Sequence, residues 1–306
     1  MSIDFSSLKD KISGDVILNA PMKQYTTWKI GGPADCLVEP KNSEDIIAVV
    51  RFAKEHHVPL FVLGNGSNLL VSDDGIEGIV LHCGESLGQF SFENSSDETV
   101  LLTAGSGVLL SKMARETAKR GLAGLQWSVG IPASLGGAAI MNAGAYGHWF
   151  YEVLSAAEII TENGEVLRLS GDELGWSYRH TALMDRKAIV TSLEIRLARG
   201  DRDELMKTVE ETIKTRREKQ PLDFPSAGSV FKNPKGSHAG YLIELTGLRG
   251  KRVGNAEVSE KHGNFILNKG DCKAKDVLTL IELVQREVKE ARGYDLVPEV
   301  RFIGRF

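Results

Sequence analysis

The sequence has few cysteines, and their spacing excludes several kinds of site. Three cysteines, Cys36, Cys83 and Cys272, occur in 306 residues, with no C-x-x-C pair. An odd number of distant cysteines fits a reducing compartment and provides neither a disulfide framework nor a zinc or thioredoxin-like motif. The histidines, among them His148 and His262, lack the paired spacing of metal ligands. We therefore expect buried, unpaired cysteines and no metal.

Excess positive charge and long apolar runs are also lacking. The 37 Lys and Arg face 41 Asp and Glu, a net charge of -4, which argues against a strongly basic surface for nucleic acid. No uncharged apolar run approaches the ~20 residues of a membrane span. Residues 1–18 carry five charged side chains, unlike a secretory signal. The sequence predicts a cytoplasmic protein with no nucleic-acid partner and no membrane insertion, and no obligate protein partner is evident.

Glycine is the residue in excess. Of 32 glycines, 15 lie between Gly64 and Gly147, and the rest of the chain is close to the ~7% average. No fixed-period repeat accompanies them, which excludes collagen-like and solenoid folds. Because glycine lets backbone approach closely and turn sharply, the excess predicts either tight turns or a ligand lying against the backbone of this stretch.

Hydrophobic periodicity predicts strands that alternate with helices. The predicted strands cover 34–38, 60–63, 69–71, 79–82, 100–103, 188–197 and 296–302, and the predicted helices begin at Ser43 and cover 108–120, 203–219 and 274–291. Asn163-Gly164 signals a hairpin. This pattern predicts the α+β class with three lobes, 1–75, 76–200 and 201–293, and a C-terminal strand within 294–306 that returns to the first lobe.

The first candidate site segment is Gly64-Asn65-Gly66-Ser67-Asn68, directly after a predicted strand. Its two glycines allow consecutive N–H groups to converge on an anion, and Ser67 and Asn68 add side-chain donors. The segment lacks the lysine of a phosphate-binding P-loop, and a strand follows where a dinucleotide fingerprint requires a helix. Taken alone, it fits either an anion-binding loop or an ordinary turn at a strand end.

The second candidate segment covers 130–147 and has mostly small side chains. Its backbone can therefore lie against a flat or extended ligand, while Ser134 and Asn142 offer hydrogen bonds. Close helix packing is the alternative. Together with 64–68 and with Ala104-Gly105-Ser106-Gly107, this segment favours a nucleotide-type ligand.

The third candidate segment, 226–234, places a hydroxyl, an ammonium and an amide within five residues, at Ser229, Lys232 and Asn233. Turn formation is the alternative for such a loop. Two further polar residues complete the candidates. Glu299 lies within the apolar run 296–303, where burial would require a partner, and Arg179 could clamp a carboxylate or pair at the surface.

Seven segments, in order along the chain, resemble one family. They are 27–34, 64–68, 130–147, 178–179, 228–234, 258–262 and 298–300. The family is UDP-N-acetylenolpyruvoylglucosamine reductase, also called UDP-N-acetylmuramate dehydrogenase, of bacterial peptidoglycan synthesis. The resemblance implies a two-lobed FAD-binding domain of the vanillyl-alcohol-oxidase-like (PCMH-type) fold and a smaller α/β lobe that binds UDP-sugar. It also implies FAD-mediated, NADPH-dependent reduction of UDP-N-acetylglucosamine enolpyruvate to UDP-N-acetylmuramate.

The resemblance assigns roles to individual residues. Arg179, Ser229 and Glu299 match the family's catalytic residues, and Lys232, Asn233 and Arg301 are expected to contact the substrate. The expected FAD-binding residues are Gly64, Asn65, Gly66, Ser67, Asn68, Gly130, Ile131, Pro132, Ser134, Gly136, Gly137, Asn142, Gly144 and Tyr146.

One departure from the family pattern concerns the segment after Arg179. Some relatives carry a longer segment there, with a tyrosine that closes over the substrate phosphate. In this chain the corresponding segment, 180–186, is short and includes no tyrosine. The chain thus resembles the subgroup without that loop. Two other functions stay open from sequence: a flavin-dependent oxidase on the same fold, and a sugar-nucleotide binding protein without redox chemistry.

Overall fold

The computed structural model describes residues 3–306. Its strands in chain order are β1 Asp15–Pro21, β2 Pro33–Glu39, β3 Leu60–Leu63, β4 Leu69–Val71, β5 Ile76–His82, β6 Phe90–Asn94, β7 Thr99–Gly105, β8 Leu122–Ala123, β9 Gly144–Ala145, β10 His148–Trp149, β11 Leu154–Ile160, β12 Val166–Ser170, β13 Trp176–Ser177, β14 His180–Thr181, β15 Ile189–Arg199, β16 Arg252–Val253, β17 Ala256–Val258, β18 Ile266–Asn268 and β19 Arg301–Ile303. Its α-helices are α1 Ser43–Glu55, α2 Leu110–Lys119, α3 Leu135–Ile140, α4 Ala182–Asp185, α5 Arg202–Lys219, α6 Ala239–Leu245 and α7 Ala274–Arg292.

The described chain divides into two compact units. Unit 1 contains residues 3–18, 36–65 and 78–215, and unit 2 contains 19–35, 66–77 and 216–306. The chain therefore passes from one unit to the other after Leu18, Asp35, Asn65, Glu77 and Thr215. The three lobes expected from sequence stay a prediction.

Unit 1 contains an antiparallel sheet in the order β12-β11-β15-β7-β6, with β8 also paired to β15. Apolar side chains of β7 and β15, such as Leu102 and Leu193, share a core with Leu110 of α2 and Leu135 of α3. The predicted hairpin is confirmed, because β11 and β12 pair on either side of Asn163-Gly164.

A second core of unit 1 lies against α1. This helix begins after Asn42, whose side chain accepts a hydrogen bond from the Asp45 N–H at 2.8 Å. Ile46 and Val49 of α1 pack with residues of β2 and β5. Strands β3 and β5 are parallel, with Leu60 opposite Ile79, and β3 leads directly into the first glycine segment.

Unit 2 is built around α7 and the antiparallel sheet β16-β17-β18. Val284 of α7 shares a core with Trp28, Val230 and Phe231. The buried Trp28 indole N–H donates to the Ile266 carbonyl at 2.8 Å, so its polar group is satisfied. Strand β19 pairs in parallel with β4.

The predicted helices are confirmed, with ends shifted by no more than two residues. The C-terminal strand predicted over 296–302 is wrong in its extent, because only Arg301–Ile303 forms a strand. Pro298 has no N–H to donate, and it forms an isolated bridge with Phe231 instead. No helix within residues 3–306 is both long enough and apolar enough to span a membrane.

Candidate active site

In unit 1, the loop after β3 contacts the start of the second glycine segment. The Asn65 side-chain amide donates to the Pro132 carbonyl at 2.5 Å. A Cβ on Gly64 would overlap the Oγ of Ser134. Ser134 in turn precedes α3, and its Oγ accepts from the Gly137 N–H at 3.3 Å. Two segments predicted to bind cofactor are therefore adjacent, and a side chain at position 64 would displace the Ser134 hydroxyl from its place.

Helix α3 packs against a third small-residue segment. The Gly136 N–H donates to the Ser106 carbonyl at 2.9 Å, and the Leu135 N–H donates to the Val108 carbonyl at 2.8 Å. A Cβ on Gly136 would lie 2.8 Å from the Ser106 Cβ, closer than real carbon contacts allow. Gly136 thus serves close packing, the alternative left open by the sequence. The buried Oγ of Ser106 has no hydrogen-bond partner within residues 3–306.

Asn142 ties the end of the second glycine segment to two neighbouring stretches of backbone. It is 2% exposed and has a positive φ of 43°. Its amide donates to the Ser177 carbonyl at 3.1 Å and its Oδ1 accepts from the Tyr151 N–H at 3.3 Å. Asn142 therefore has a structural role beside its expected cofactor role. Tyr146, with φ of 55° and 53% of its surface exposed, is available to a ligand.

Arg179 lies in the turn between β13 and β14, also with a φ of 55°. Its Nη2 donates to the Gly144 carbonyl at 3.0 Å. The guanidinium carbon is 5.4 Å from the Trp149 ring centroid and 5.5 Å from that of Tyr178, within cation–π range. The sequence analysis missed Trp149, although an aromatic residue just after the small-residue segment was an available signal.

In unit 2, hydrogen bonds hold the Ser229 loop, defined here as residues 226–232. The Thr27 hydroxyl donates to the Ser226 carbonyl at 2.8 Å, and the Val230 N–H donates to the Asn264 carbonyl at 2.9 Å. Gly228, between these anchors, has a φ of 74°, which favours glycine. Ser229 is half-buried.

The segment that carries Glu299 runs beside the Ser229 loop. The Glu299 N–H donates to the Val230 carbonyl at 2.7 Å, and the Lys232 N–H donates to the Val297 carbonyl at 2.9 Å. Asn68 joins them, because its amide donates to the Glu299 carbonyl at 3.1 Å. Unit 2 therefore brings Asn68, Ser229 and Glu299 together. Glu299 is half-buried and precedes β19 rather than lying inside a strand.

The expected substrate residues also belong to unit 2. The Asn233 Oδ1 accepts from the Ala239 N–H at 3.0 Å, which leaves its amide N–H₂ as the group that it can offer to a ligand. Lys232 is half-buried and Arg301 is exposed in β19. Gly66 is buried, and a Cβ there would overlap the Tyr25 carbonyl, so close backbone packing requires glycine at this position too.

Asn264 is a second residue that the sequence analysis missed. It is 4% exposed, and its side chain forms two hydrogen bonds with the backbone of Phe231: Oδ1 accepts from the N–H at 2.9 Å and Nδ2 donates to the carbonyl at 2.8 Å. Its own N–H donates to Nδ1 of His262 at 3.2 Å. Burial is the main cause that lowers the pKa of His262, so this ring is a neutral acceptor at pH 7.

Comparisons with known proteins cover most of the chain. The FAD binding domain family matches residues 34–170. The family of the C-terminal domain of UDP-N-acetylenolpyruvoylglucosamine reductase matches residues 220–303. The helices and strands of the structure confirm the predicted α+β class, and these matches confirm an FAD-binding domain followed by a smaller C-terminal domain.

Relatives named UDP-N-acetylenolpyruvoylglucosamine reductase align over nearly their whole length. The relative from Caldanaerobacter subterraneus subsp. tengcongensis is 44% identical over 291 residues, 95% of this chain and 94% of the relative. The relative from Heliobacterium modesticaldum is 46% identical over 292 residues, with coverage of 95% and 91%. The solved structure of UDP-N-acetylenolpyruvylglucosamine reductase from Thermus caldophilus is 36% identical, has a TM-score of 0.80, and is matched over 95% of this chain and 99% of that chain. The chain therefore belongs to the UDP-N-acetylenolpyruvoylglucosamine reductase family.

Proposed function

We propose that this chain reduces UDP-N-acetylglucosamine enolpyruvate to UDP-N-acetylmuramate with NADPH and FAD, in the synthesis of peptidoglycan precursors. The relatives carry the name of this reductase, and the N-terminal match is to an FAD binding domain. In the structure, the observation that carries the proposal is the pairing of the Ser229 loop with the Glu299 segment. We place the activity in the cytoplasm, as expected from composition.

The residues of unit 1 fit a flavin dinucleotide. Three small-residue segments meet around Gly64, Ser106 and Ser134, so one ligand can contact all of them. Their groups are backbone N–H, hydroxyl and amide, which suit the diphosphate and the polar ring edges of FAD. The unpartnered Oγ of Ser106 is the kind of buried polar atom that a bound ligand could satisfy.

The proposed FAD contacts are those expected from sequence. Within unit 1, Gly64 and Asn65 would hold the diphosphate, and residues 130–137 would lie along the dinucleotide, while Asn142, Gly144 and Tyr146 would line its remaining surface. The contacts expected for Gly66, Ser67 and Asn68 stay a prediction. Bound FAD supplies hydride transfer from NADPH to the methylene carbon of the substrate alkene.

Ser229 is proposed to protonate the substrate. Hydride addition to the methylene carbon leaves negative charge on the α carbon, next to the substrate carboxylate. The Ser229 hydroxyl would give its proton to that α carbon, which completes the addition of two hydrogens across the double bond. A hydroxyl is a weak acid toward water, yet it is adequate toward a strongly basic carbanion held in contact with it.

Arg179 and Glu299 are proposed to stabilise the negative charge that develops on the substrate carboxylate. An arginine presents a planar fork of N–H donors that matches a carboxylate. A protonated Glu299 could donate a further hydrogen bond. Fixed donors aimed at developing charge lower the barrier substantially, because they need no reorganisation during the reaction.

Lys232, Asn233 and Arg301 are proposed to contact the UDP diphosphate. Lys232 and Arg301 supply cations and Asn233 supplies its amide N–H₂, all suited to phosphate oxygens. No tyrosine lies in residues 180–186, where β14 leads into the single-turn helix α4. The chain is therefore proposed to bind the diphosphate without the tyrosine loop found in other relatives.

An anaerobic titration of the purified holoprotein tests the proposal. NADPH should bleach the flavin absorbance, and UDP-N-acetylglucosamine enolpyruvate, added in the absence of oxygen, should restore it with formation of UDP-N-acetylmuramate. UDP-N-acetylglucosamine, which lacks the alkene, is the matched control and should leave the protein bleached. A protein without flavin absorbance, or one whose colour returns only with oxygen, would contradict the proposal.

A further inference from the structure

We infer that Asn264 is a positioning residue that orients the peptide after Ser229, and thereby the Ser229 hydroxyl, for proton transfer. This inference rests on the proposed function of Ser229 as the proton donor. Asn264 itself is remote in sequence, 35 residues beyond Ser229, and it acts through backbone atoms of the Ser229 loop.

The hydrogen bonds of Asn264 fix the loop immediately after Ser229. Its Oδ1 and Nδ2 bind the N–H and the carbonyl of Phe231 at 2.9 and 2.8 Å, and its own carbonyl accepts from the Val230 N–H at 2.9 Å. Three bonds therefore act on the two residues that follow Ser229. Because both atoms of the amide are used, only the longer glutamine side chain offers the same donor and acceptor pair.

Packing alone does not determine the orientation of Ser229. The side chains of Val230 and Phe231 are buried in the core of unit 2, which fixes where these residues lie. On the other side of Ser229, however, a Cβ at Gly228 would meet no heavy atom within 4 Å. Hydrogen bonds therefore help to set the rotation of the peptides around Ser229. On the C-terminal side, the backbone carbonyl of Asn264 and the Glu299 N–H bind Val230, and the Asn264 side chain fixes both polar groups of the next residue, Phe231.

Asn264 is itself held rigidly. Its N–H donates to the neutral His262 ring, and the N–H of His262 donates to the Ser259 hydroxyl at 3.2 Å. A buried amide that is bonded through both Oδ1 and Nδ2 is thereby held in one orientation. Since a misplacement of about 1 Å can slow a reaction roughly 100-fold, loss of these bonds should reduce proton transfer more than it reduces FAD binding or NADPH oxidation.

The test compares Asn264→Asp with Asn268→Asp in the flavin-loaded enzyme. Asn268 is a matched control, since it is 6% exposed and its side chain also bonds backbone, donating to the Trp28 carbonyl and accepting from the Gly270 N–H, both at 2.9 Å. In anaerobic stopped-flow measurements, Asn264→Asp should slow the substrate-driven return of absorbance by about 10- to 100-fold. The rate at which NADPH bleaches Asn264→Asp should stay within about twofold of the wild-type rate. The rates of bleaching and of return in Asn268→Asp should also stay within about twofold of wild type.

Two further readouts separate positioning from general loosening. In the Ser229→Ala background, Asn264→Asp should cause no additional slowing, because its effect passes through the missing hydroxyl. Hydrogen exchange of the peptide that covers 226–232 should accelerate about tenfold in Asn264→Asp and stay unchanged in Asn268→Asp. If Asn264→Asp fails to fold, Asn264→Ser serves in the same three measurements.

Additive slowing in the double variant, or equal slowing of bleaching and return, would overturn the inference. An unchanged return in a folded Asn264 variant would do the same. These outcomes are distinct from a failure of the proposed function. In that case the wild-type enzyme itself would not regain absorbance with the enolpyruvyl substrate, or Ser229→Ala would regain it at the wild-type rate.

Discussion

At the scale of single residues, Arg179 is oriented by two carbonyl oxygens, those of Asn142 and Gly144, and by two aromatic rings. Its backbone lies in the left-handed region, which costs a residue with a side chain on the order of 1 kcal/mol. The bond to the Gly144 carbonyl and the rings of Trp149 and Tyr178 hold the guanidinium in place. A lysine could not reproduce this geometry, because it lacks the planar fork.

Two glycines of the 64–147 stretch serve close packing between segments, which was the alternative left open by the sequence. At Gly64 and Gly136 an added Cβ would meet atoms of Ser134 and Ser106, so the segments pack against one another there. The absence of side chains at these glycines thus allows the small-residue segments to pack together into a frame around α3. A ligand would then rest on this frame, rather than being the direct reason for each glycine.

Gly136→Ala should therefore destabilise the protein by roughly 1–3 kcal/mol, because α3 or the Ser106 segment must shift. The neighbouring Gly137→Ala is the matched control. Its Cβ would meet only the Ser134 Oγ, at 3.3 Å, and alanine favours the helix, so stability should change little. Urea unfolding of both variants measures the difference, and equal costs would contradict the packing account.

At the scale of elements, α1 is joined to the N-terminal segment by one buried carboxylate. Asp45 is 4% exposed and accepts from the Ser13 N–H at 2.8 Å, from the Ser13 hydroxyl, and from the Lys41 N–H at 2.9 Å. Burial acts to raise the pKa of Asp45, but these hydrogen bonds together outweigh it, and the net effect is a pKa below the usual 3.8.

Asp45→Asn should lower the free energy of unfolding by about 2 kcal/mol at pH 7, because two backbone donors lose a charged acceptor. A carboxyl group whose pKa is lower in the folded than in the unfolded protein stabilises the fold at pH values above its unfolded-state pKa. This stabilisation is lost as the pH falls through its folded-state pKa. The difference from wild type should therefore shrink as the pH approaches 3. The exposed Asp10→Asn serves as the control in denaturant titrations at several pH values, and a pH-independent difference would contradict the assignment.

Four of the seven α-helices within residues 3–306, namely α1, α2, α5 and α7, were predictable because each carries a local signal, whereas the short α3, α4 and α6 were not predicted. In α1 the Asn42 cap and the acidic first turn mark the start, and in α7 the repeated apolar residues end at Gly293, which has a φ of 76°. The C-terminal strand was not predictable from its apolar run alone. Its pairing depends on partners far away in sequence, since 297–299 bonds to the Ser229 loop and only 301–303 pairs with β4.

The residues of the candidate site that lie in recognisable sequence motifs were predictable. Those that belong to the site only through long-range contacts were not. Ser229 and Glu299 were candidates from the sequence pattern and received catalytic roles from the resemblance, and the structure adds that the Glu299 N–H donates to the carbonyl of Val230, the residue after Ser229. Asn264 and Trp149 act through long-range contacts with Phe231 and Arg179. Such contacts leave no spacing pattern in a single sequence, because the partners are separated by about 30 residues each time.

At the scale of the whole molecule, two compact units carry different parts of the proposed chemistry. Unit 1 contains Arg179 and the frame of small residues around α3, whereas unit 2 contains Ser229, Glu299 and the expected diphosphate contacts. Each unit has buried apolar cores of its own. Cysteines occur in both, with Cys83 in unit 1 and Cys272 in unit 2.

The thiols should be unreactive in the native protein. All three cysteines are buried, and none forms a disulfide within residues 3–306. Burial raises the pKa of Cys83 and, as the largest cause, that of Cys272 to about 12. Since the thiolate is the nucleophile, iodoacetamide at pH 8 should label almost none of them, whereas unfolding in urea should expose all three. Mass spectrometry counts the labels. Native labelling of Cys83 at the rate of a free thiol would contradict this burial.

The most direct test of the central claim is the pair of half-reactions in Ser229→Ala. The rate at which NADPH bleaches the flavin should match that of wild type, whereas the return of absorbance with the enolpyruvyl substrate should slow by roughly 10²- to 10⁴-fold, as expected for loss of a general acid. Ser237→Ala, a serine substitution in the same unit, should leave both rates unchanged. Equal slowing of the two half-reactions, or an unchanged return of absorbance in Ser229→Ala, would contradict the account.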